Sequence, residues 1–369
     1  MRWSEPQFGR KAVRRAGETL IGEGNDLFAA SRAFEVLSNW RAAHAYPIQA
    51  VLMLLRGKAA SVDSNALIVQ RLKRTPSILA KLRRESGMKL ERMEDIGGCR
   101  AVVATTKQVR QLATLLVDSK TRHTLSRTRD YIKHPKASGY RGIHLVYRYN
   151  ARKKEFKGIP IEIQIRSKIQ HSWATAVEVA GAFTRHALKA SQGPDDWLKY
   201  FQYASVELAK FEGCPIGGAF EGVDTAVELE RLSEKLDVSH KLRAFVVTTM
   251  NLGKKTHDKS DYFLLVLDMN QATVRITRYG VEQLEDATRE YSTLEKQFRQ
   301  DSFRDVVLVS ASSINALKKG YPNYFADTAS FLSNLNNARR ANSSSKRTRG
   351  GTPRRLTQAL ECHDRRPKN

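Results

Sequence analysis

Three short stretches decide how this chain folds: Asp95-Ile-Gly-Gly-Cys-Arg100, Lys136-Ala-Ser-Gly-Tyr-Arg-Gly-Ile-His144 and Ile161-Glu-Ile-Gln-Ile-Arg166. The first puts a carboxylate and a two-glycine turn ahead of the apolar run Ala101–Val103, a buried type of strand. The second turns through Gly139 and Gly142 into the strand-like Ile143–Tyr149. The third alternates, so Glu162, Gln164 and Arg166 share one strand face and three isoleucines the other. A sheet face carrying Glu162 must pair, coordinate or protonate it. Lys107–Val117, between the first two, has helical spacing. Together these segments predict a mixed sheet flanked by helices.

Working outward, Thr75-Pro76-Ser77 reads as an N-cap and a proline opening a helix with Ile78, Leu79 and Leu82 inward. Arg71 and Lys73 alternate around Leu72, and two like cations on one strand face repel unless an anion lies between them. Residues 10–58 read as helices, with Asn25 or Ser31 as a cap and a break at Pro47. Residues 118–138 read as a long basic loop in which Tyr131 and Tyr140 place aromatic faces among cations, a mixture suited to a base and its phosphates. Ser167 caps the helix that follows the third stretch. Gly213–Gly222 marks a boundary, after which Thr225-Ala-Val-Glu228 reads as a capping box. Strands follow at 244–250, 262–268, 273–278 and 306–310, with a charged helix over 282–300. The expected organisation is helices over 1–60, a first domain over 61–215, a second, small α/β domain over 221–336, and a disordered basic tail over 337–369.

The 369 residues carry 63 Lys and Arg against 38 Asp and Glu, a net charge of +25 that favours polyanionic partners. Hydrophobic content of 41% suits a globular protein. No apolar run is long enough for a bilayer span and the start lacks a secretory core, so a cytoplasmic protein without membrane contact is expected. Cys99, Cys214 and Cys362 form no CxxC pair, which argues against a zinc ribbon or disulfide framework.

In combination, Arg71-x-Lys73, Ser77-Ile78-x-x-Lys81-Leu82, Asp95-Ile-Gly-Gly-Cys-Arg100, Asp130-Tyr-Ile, Lys136-x-x-Gly-Tyr-Arg-x-x-His144 and Glu162-Ile-Gln-Ile-Arg166 resemble the RelA/SpoT-type nucleotide pyrophosphokinase domain. Asn39-Trp-Arg-x-x-His-x-Tyr-Pro47 and Tyr321-Pro-Asn-Tyr324 are similar to one branch, the toxic small alarmone synthetases fused to their own antitoxin (CapRel-type) in phage-defence loci. The resemblance implies an α+β fold of RelA/SpoT synthetase type, with a C-terminal domain like a zinc-finger antitoxin that has lost its zinc. It implies pyrophosphoryl transfer from ATP to a ribose hydroxyl with Mg²⁺. Asp95 and Glu162 would hold the metal, or Glu162 would act as base. Arg71 and Arg100 would sandwich adenine, and Lys73 and Lys81 would meet ATP phosphates. Tyr140 would stack on the acceptor base beside Lys136, Arg141 and His144, with Gln164 and Arg166 as further site candidates. Tyr321 and Tyr324 would block the ATP site until a phage protein binds the C-terminal domain.

Gly142 and Ser167 stand where many relatives have serine and threonine. The hydrolase half of the long enzymes is missing, and His257-Asp258 and His363-Asp364 read as incidental. The expected protein is a monomeric toxin that pyrophosphorylates the 3′ end of tRNA and halts translation. A conventional alarmone synthetase acting on GDP or GTP, and a catalytically dead RNA- or ribosome-binding module, are the competing readings.

Overall fold

The computed structural model describes residues 3–23, 27–150, 153–184, 186–217, 220, 222–244, 248–252, 261–268, 270–271, 273–298, 304–311, 313–321, 325 and 328–349. Its helices are α1 (Arg10–Ile21), α2 (Leu27–Ala42), α3 (Ala45–Ala60), α4 (Thr75–Arg84), α5 (Thr106–Val117), α6 (Lys168–Thr184), α7 (Asp195–Phe211), α8 (Thr225–Lys235), α9 (Val238–Ala244), α10 (Leu284–Gln297), α11 (Ile314–Gly320) and α12 (Ala329–Arg349). Its strands are β1 (Leu67–Leu72), β2 (Gly97–Val103), β3 (Thr124–Asp130), β4 (Ile143–Arg148), β5 (Pro160–Ser167), β6 (Thr248–Leu252), β7 (Asp261–Asp268), β8 (Thr273–Tyr279) and β9 (Arg304–Ala311).

Among the described residues, nine strands form one sheet in the order β3-β4-β5-β2-β1-β9-β7-β8-β6. The first five come from the N-terminal half and the rest from the C-terminal half. The seam is β1, which pairs antiparallel with β2 on one side and with β9 on the other, through Gln70↔Ser310 and Arg71↔Val309. The expected second domain therefore extends the first domain's sheet.

One face of the sheet is packed against α3, α5 and α10. Under β2, β4 and β5, Cys99, Ala101, Leu145, Ile161 and Ile163 pack with Ile48, Val51 and Leu55 of α3 and Val109 and Leu112 of α5. Under the C-terminal strands, Leu264, Val266 and Val306 pack with Ala287 and Tyr291 of α10. The other face changes character along its width. Phe263, Leu265, Val307 and Val309 are apolar and packed with helices that include α6, α7, α8 and α11. From β1 towards β3 the same face turns polar, because the register aligns Arg100 with Gln164 and Gln164 with His144.

Several local expectations need correction. The 118–138 segment contains β3, an edge strand whose cations alternate, because pairing with β4 satisfies its backbone groups. The capping box at Thr225 is not formed: Asp224 is the N-cap and the Thr225 hydroxyl bonds Glu207 and Lys210. Residue 244 ends α9, and β6 starts at Thr248. The basic segment after Asn337 continues α12 as helix to Arg349. Ser167 does cap α6, exchanging bonds with Gln170. Asn25, Tyr324, Cys362 and both His-Asp pairs lie outside the described residues. Among the described residues, no helix is long and apolar enough to cross a membrane.

The glycine turn is fixed by close packing. A Cβ on Gly97 would lie 2.9 Å from Ile48 and 3.0 Å from Ile161. Gly97→Ala is therefore predicted to destabilise by about 1–3 kcal/mol, read by denaturant unfolding; an unchanged midpoint would contradict this packing.

Candidate active site

The polar half of the sheet floors a cavity of about 1610 Å³. β4 and β5 bring His144, Glu162, Gln164 and Arg166 into it; β1 and the residue after it bring Arg71 and Lys73; α4 brings Lys81; the turn before β2 brings Asp95. Lys136 and Tyr140 enter from the segment ahead of β4. The C-terminal half adds a wall through Leu267, Phe298, Arg304 and Asp305.

Asp95 sits between two ammonium groups, with Lys73 Nζ at 2.8 Å from one oxygen and Lys81 Nζ at 3.0 Å from the other. Burial alone would raise its pKa, but the two lysines hold it below the usual carboxylate range. Burial likewise pulls Lys73 below the ordinary lysine value despite Asp95. Asp95 thus gives Lys73 an anionic partner from the protein itself and shares it with Lys81 rather than with Arg71.

Glu162 is 7% exposed and both of its oxygens are bonded. His144 Nδ1 lies 2.7 Å from Oε1, and Gln164 Nε2 donates to Oε2 at 2.8 Å. Burial opposes ionisation, yet these donors and Lys81 keep the carboxylate well below its ordinary range. The hydrogen-bond chain assigns the tautomer. Arg166 Nε donates to the Tyr140 oxygen at 3.0 Å, and the Tyr140 hydroxyl donates to His144 Nε2 at 2.6 Å. That leaves the His144 proton on Nδ1, facing Glu162. Burial, which lowers the His144 pKa, agrees with a neutral ring. The result is an ionised, oriented carboxylate at the cavity floor.

Asp95 and Glu162 are two hard carboxylates in one cavity, and the charge of Glu162 works against ionisation of Asp95. Among the described residues, no cluster of three or more metal-ligating side chains occurs. A pair of ionised carboxylates fits Mg²⁺, which takes one or two protein carboxylates and fills its remaining positions with phosphate oxygens and water.

Two expected site residues are placed differently. Arg141 does not line the cavity: its guanidinium donates to the carbonyls of Ile132 and Pro215 and to Ser205 Oγ, binding the 131–142 segment to α7 and the residues after it. Arg100 is 8% exposed and also absent from the cavity lining. It lies under the end of α11, donating to Gly320 O at 3.3 Å, with Gln164 Oε1 at 3.5 Å. Next to it, Tyr321 is 1% exposed and donates to Gln70 O on β1 at 2.7 Å. The ring of Tyr140 is buried, with Lys136 Nζ 5.3 Å and Arg166 Cζ 4.9 Å from its centre.

The structure adds residues that sequence reasoning passed over. Glu178 and Lys189 form an ion pair on the cavity wall, and burial lowers the Lys189 pKa to about 7. Glu94 bonds Arg129 at 2.8 Å, tying the β3 cations to the rim. The alternation of Arg127 and Arg129 was a visible signal for the latter. Nothing in the sequence marked the former, which depends on a turn folding back onto α6.

Residues 70–183 match the family model described as the region found in RelA/SpoT proteins. Every motif residue from Arg71 to Arg166 falls within that span. The chain is 29% identical over 198 residues to an uncharacterized protein of Mycobacterium tuberculosis, covering 52% of this chain and 66% of that one. It is 36% identical over 111 residues to the GTP pyrophosphokinase YjbM of Bacillus subtilis, covering 29% of this chain and 52% of that one. The chain thus spans between about half and two thirds of these curated relatives' length. The small alarmone synthetase 1 of Bacillus subtilis bound to its product pppGpp is 25% identical, with a TM-score of 0.41 over 46% of this chain and 90% of that one.

One titration reports on the covered end of the site. His171 of α6 bonds Lys319 O at 3.1 Å, and burial with the Arg100 and Arg166 charges lowers its pKa from 6.5 to about 3. The unfolded chain therefore takes up this proton first, so the contribution is full above pH 6.5 and lost as pH falls. From pH 6.5 to 4.5 it amounts to on the order of 2–3 kcal/mol. His171→Gln, which keeps a donor for Lys319, is predicted to flatten part of the fall in Tm over that interval; an unchanged slope would contradict the assignment.

Proposed function

We propose that this protein is an ATP-dependent pyrophosphotransferase of RelA/SpoT type. The observation that carries the reading is the floor of the cavity: two carboxylates held ionised among Arg71, Lys73, Lys81, Lys136 and Arg166. Phosphoryl chemistry needs charge neutralisation and in-line placement more than covalent help, and this arrangement supplies both. The family match and the likeness to a GTP pyrophosphokinase support the same class. In the proposed reaction a ribose hydroxyl attacks the β-phosphorus of ATP. The bond from that phosphorus to the α–β bridging oxygen breaks, AMP leaves, and Glu162, where it does not hold the metal, would take the hydroxyl proton. Mg²⁺, when bound by Asp95 and Glu162, would neutralise phosphate charge. Lys73 and Lys81 would pass from Asp95 to the donor phosphates.

For the acceptor we favour the 3′ end of tRNA. The net charge of +25 and the cations Arg10, Lys11 and Arg14 of α1 on the cavity wall support a polyanion larger than a free nucleotide. GDP or GTP is the second reading, favoured by the Bacillus subtilis relative. We further propose that the C-terminal half restrains the enzyme, as expected for a fused toxin and antitoxin. The contacts of Gly320 with Arg100 and Tyr321 with Gln70 support this, since the first engages a predicted adenine-sandwiching residue and the second the β1 backbone next to the other, Arg71. Release would follow when a partner, a phage protein by the resemblance, draws α11 away from β1.

The test is transfer of label from γ-labelled ATP to deacylated tRNA or to GDP. Tyr321→Ala is predicted to raise transfer at least tenfold over the unaltered chain, and Asp95→Asn in that background to lower it by about 10²–10³. Label in tRNA supports the first reading and label in GDP the second. Label in neither, with Tyr321→Ala included, would overturn the enzymatic reading and leave a nucleic-acid-binding module.

A further inference from the structure

The lysines that face Asp95 are held in place from an unexpected direction. Arg41 of α2 is 4% exposed, a depth at which a guanidinium needs a carboxylate. That carboxylate is Glu295 of α10, with Arg41 NH1 at 2.7 Å from Oε2. Tyr291, one turn earlier, joins both: it accepts from Arg41 and donates to Glu295 at 2.6 Å. Burial would raise the Glu295 pKa, but Arg41 and the surrounding donors lower it, so the pair is ionic.

What this buried pair grips is the two-residue link between β1 and α4, Lys73 and Arg74, together with Thr75 at the start of α4. Arg41 Nε donates to Lys73 O at 2.9 Å, while Lys73 N–H donates to Ile96 O at 2.7 Å. The backbone of Lys73 is fixed on both sides. Thr75 N–H donates to Glu295 Oε1 at 2.8 Å, and the Thr75 hydroxyl accepts from Arg41 and donates to Glu295. The N-cap residue of α4 is Arg74, whose side chain makes no cap, so the sequence expectation of a Thr75 cap is corrected. Thr75 is the first helical residue, and its orphan N–H is satisfied from the C-terminal half. Arg74 itself pairs with Asp305 of β9.

We infer that Glu295, acting through Arg41 and Thr75, is a positioning residue for the donor-phosphate lysines Lys73 and Lys81. The inference rests on the pyrophosphotransferase reading of this cavity. It gives the C-terminal half two effects of opposite sign: α11 covers the Arg100 end, while α10 builds the Lys73 end. Deleting the C-terminal half would then remove a restraint and a support together, leaving Arg41 buried without its carboxylate.

The experiment uses the full chain carrying Tyr321→Ala and compares it with the same chain carrying Glu295→Gln, and with a third carrying Glu295→Gln and Arg41→Met. Calorimetry measures the Kd of α,β-methylene ATP, with thermal unfolding in parallel. Glu295→Gln is expected to weaken the analogue about tenfold or more, with acceptor KM within about twofold. Arg41→Met removes the unpaired charge and is expected to recover the Tm without recovering the Kd. A purely structural clamp predicts that the Kd recovers with the Tm, or never changes, and either result overturns the inference. If Tyr321→Ala protein binds the analogue but transfers no pyrophosphate, the functional reading fails, and the Kd comparison still decides the role of Glu295.

Discussion

Strand β1 is used twice, and the rest of the structure depends on that double use. Its register with β2 sets Arg71 opposite Gly98, and its register with β9 sets Arg71 opposite Val309. The first pairing places Arg71 beside a glycine, leaving room on the polar face. The second joins four further strands, so the chemistry-bearing half has no free edge at β1. Between them, Gln70 accepts the Tyr321 hydroxyl at its carbonyl. A strand in this position couples the two ends of the chain: moving β9 or α11 disturbs the backbone that carries Arg71 and leads to Lys73.

The second constraint is electrostatic. Ionised carboxylates withdrawn from water are costly unless each oxygen finds a donor. Glu162 meets that demand through His144 and Gln164, and those two are oriented by Tyr140 and Arg166. Asp95 meets it through two lysines. The two solutions differ in a way that suits different tasks. The partners of Glu162 are themselves anchored, His144 by Tyr140 and Gln164 by Arg166. The lysines on Asp95 are long, flexible point charges that would exchange one anion for another.

Much of the N-terminal half was legible because its signals are local. Alternation in Ile161–Arg166 fixed which side chains share a face, and pairing with β2 and β4 placed Glu162, Gln164 and His144 together as that pattern required. The Asp95 turn and the Ser167 cap were readable for the same reason. What could not be read was non-local. Thr75 reads locally as an N-cap, whereas it is the first helical residue and its N–H is satisfied by Glu295, 220 residues away. Arg141 sits inside a motif, yet its partners are carbonyls and a hydroxyl brought close by tertiary folding. The 118–138 segment read as a loop because its polar composition matched one; as an edge strand, β3 needs only one paired side and tolerates charges on the other. Nor did strand patterns at 262–310 say that they would extend the first sheet, since an alternating strand does not name its neighbour.

The account turns on β1 being an internal strand in the intact protein. Hydrogen–deuterium exchange of the peptide covering Leu67–Leu72 measures this directly, with the full chain compared against Tyr321→Ala. Slow exchange matching that of β2 and β5, accelerated in the variant, is the predicted result. Exchange as fast as that of an unpaired edge in the intact chain would contradict the shared sheet and, with it, the coupling between the C-terminal half and the site.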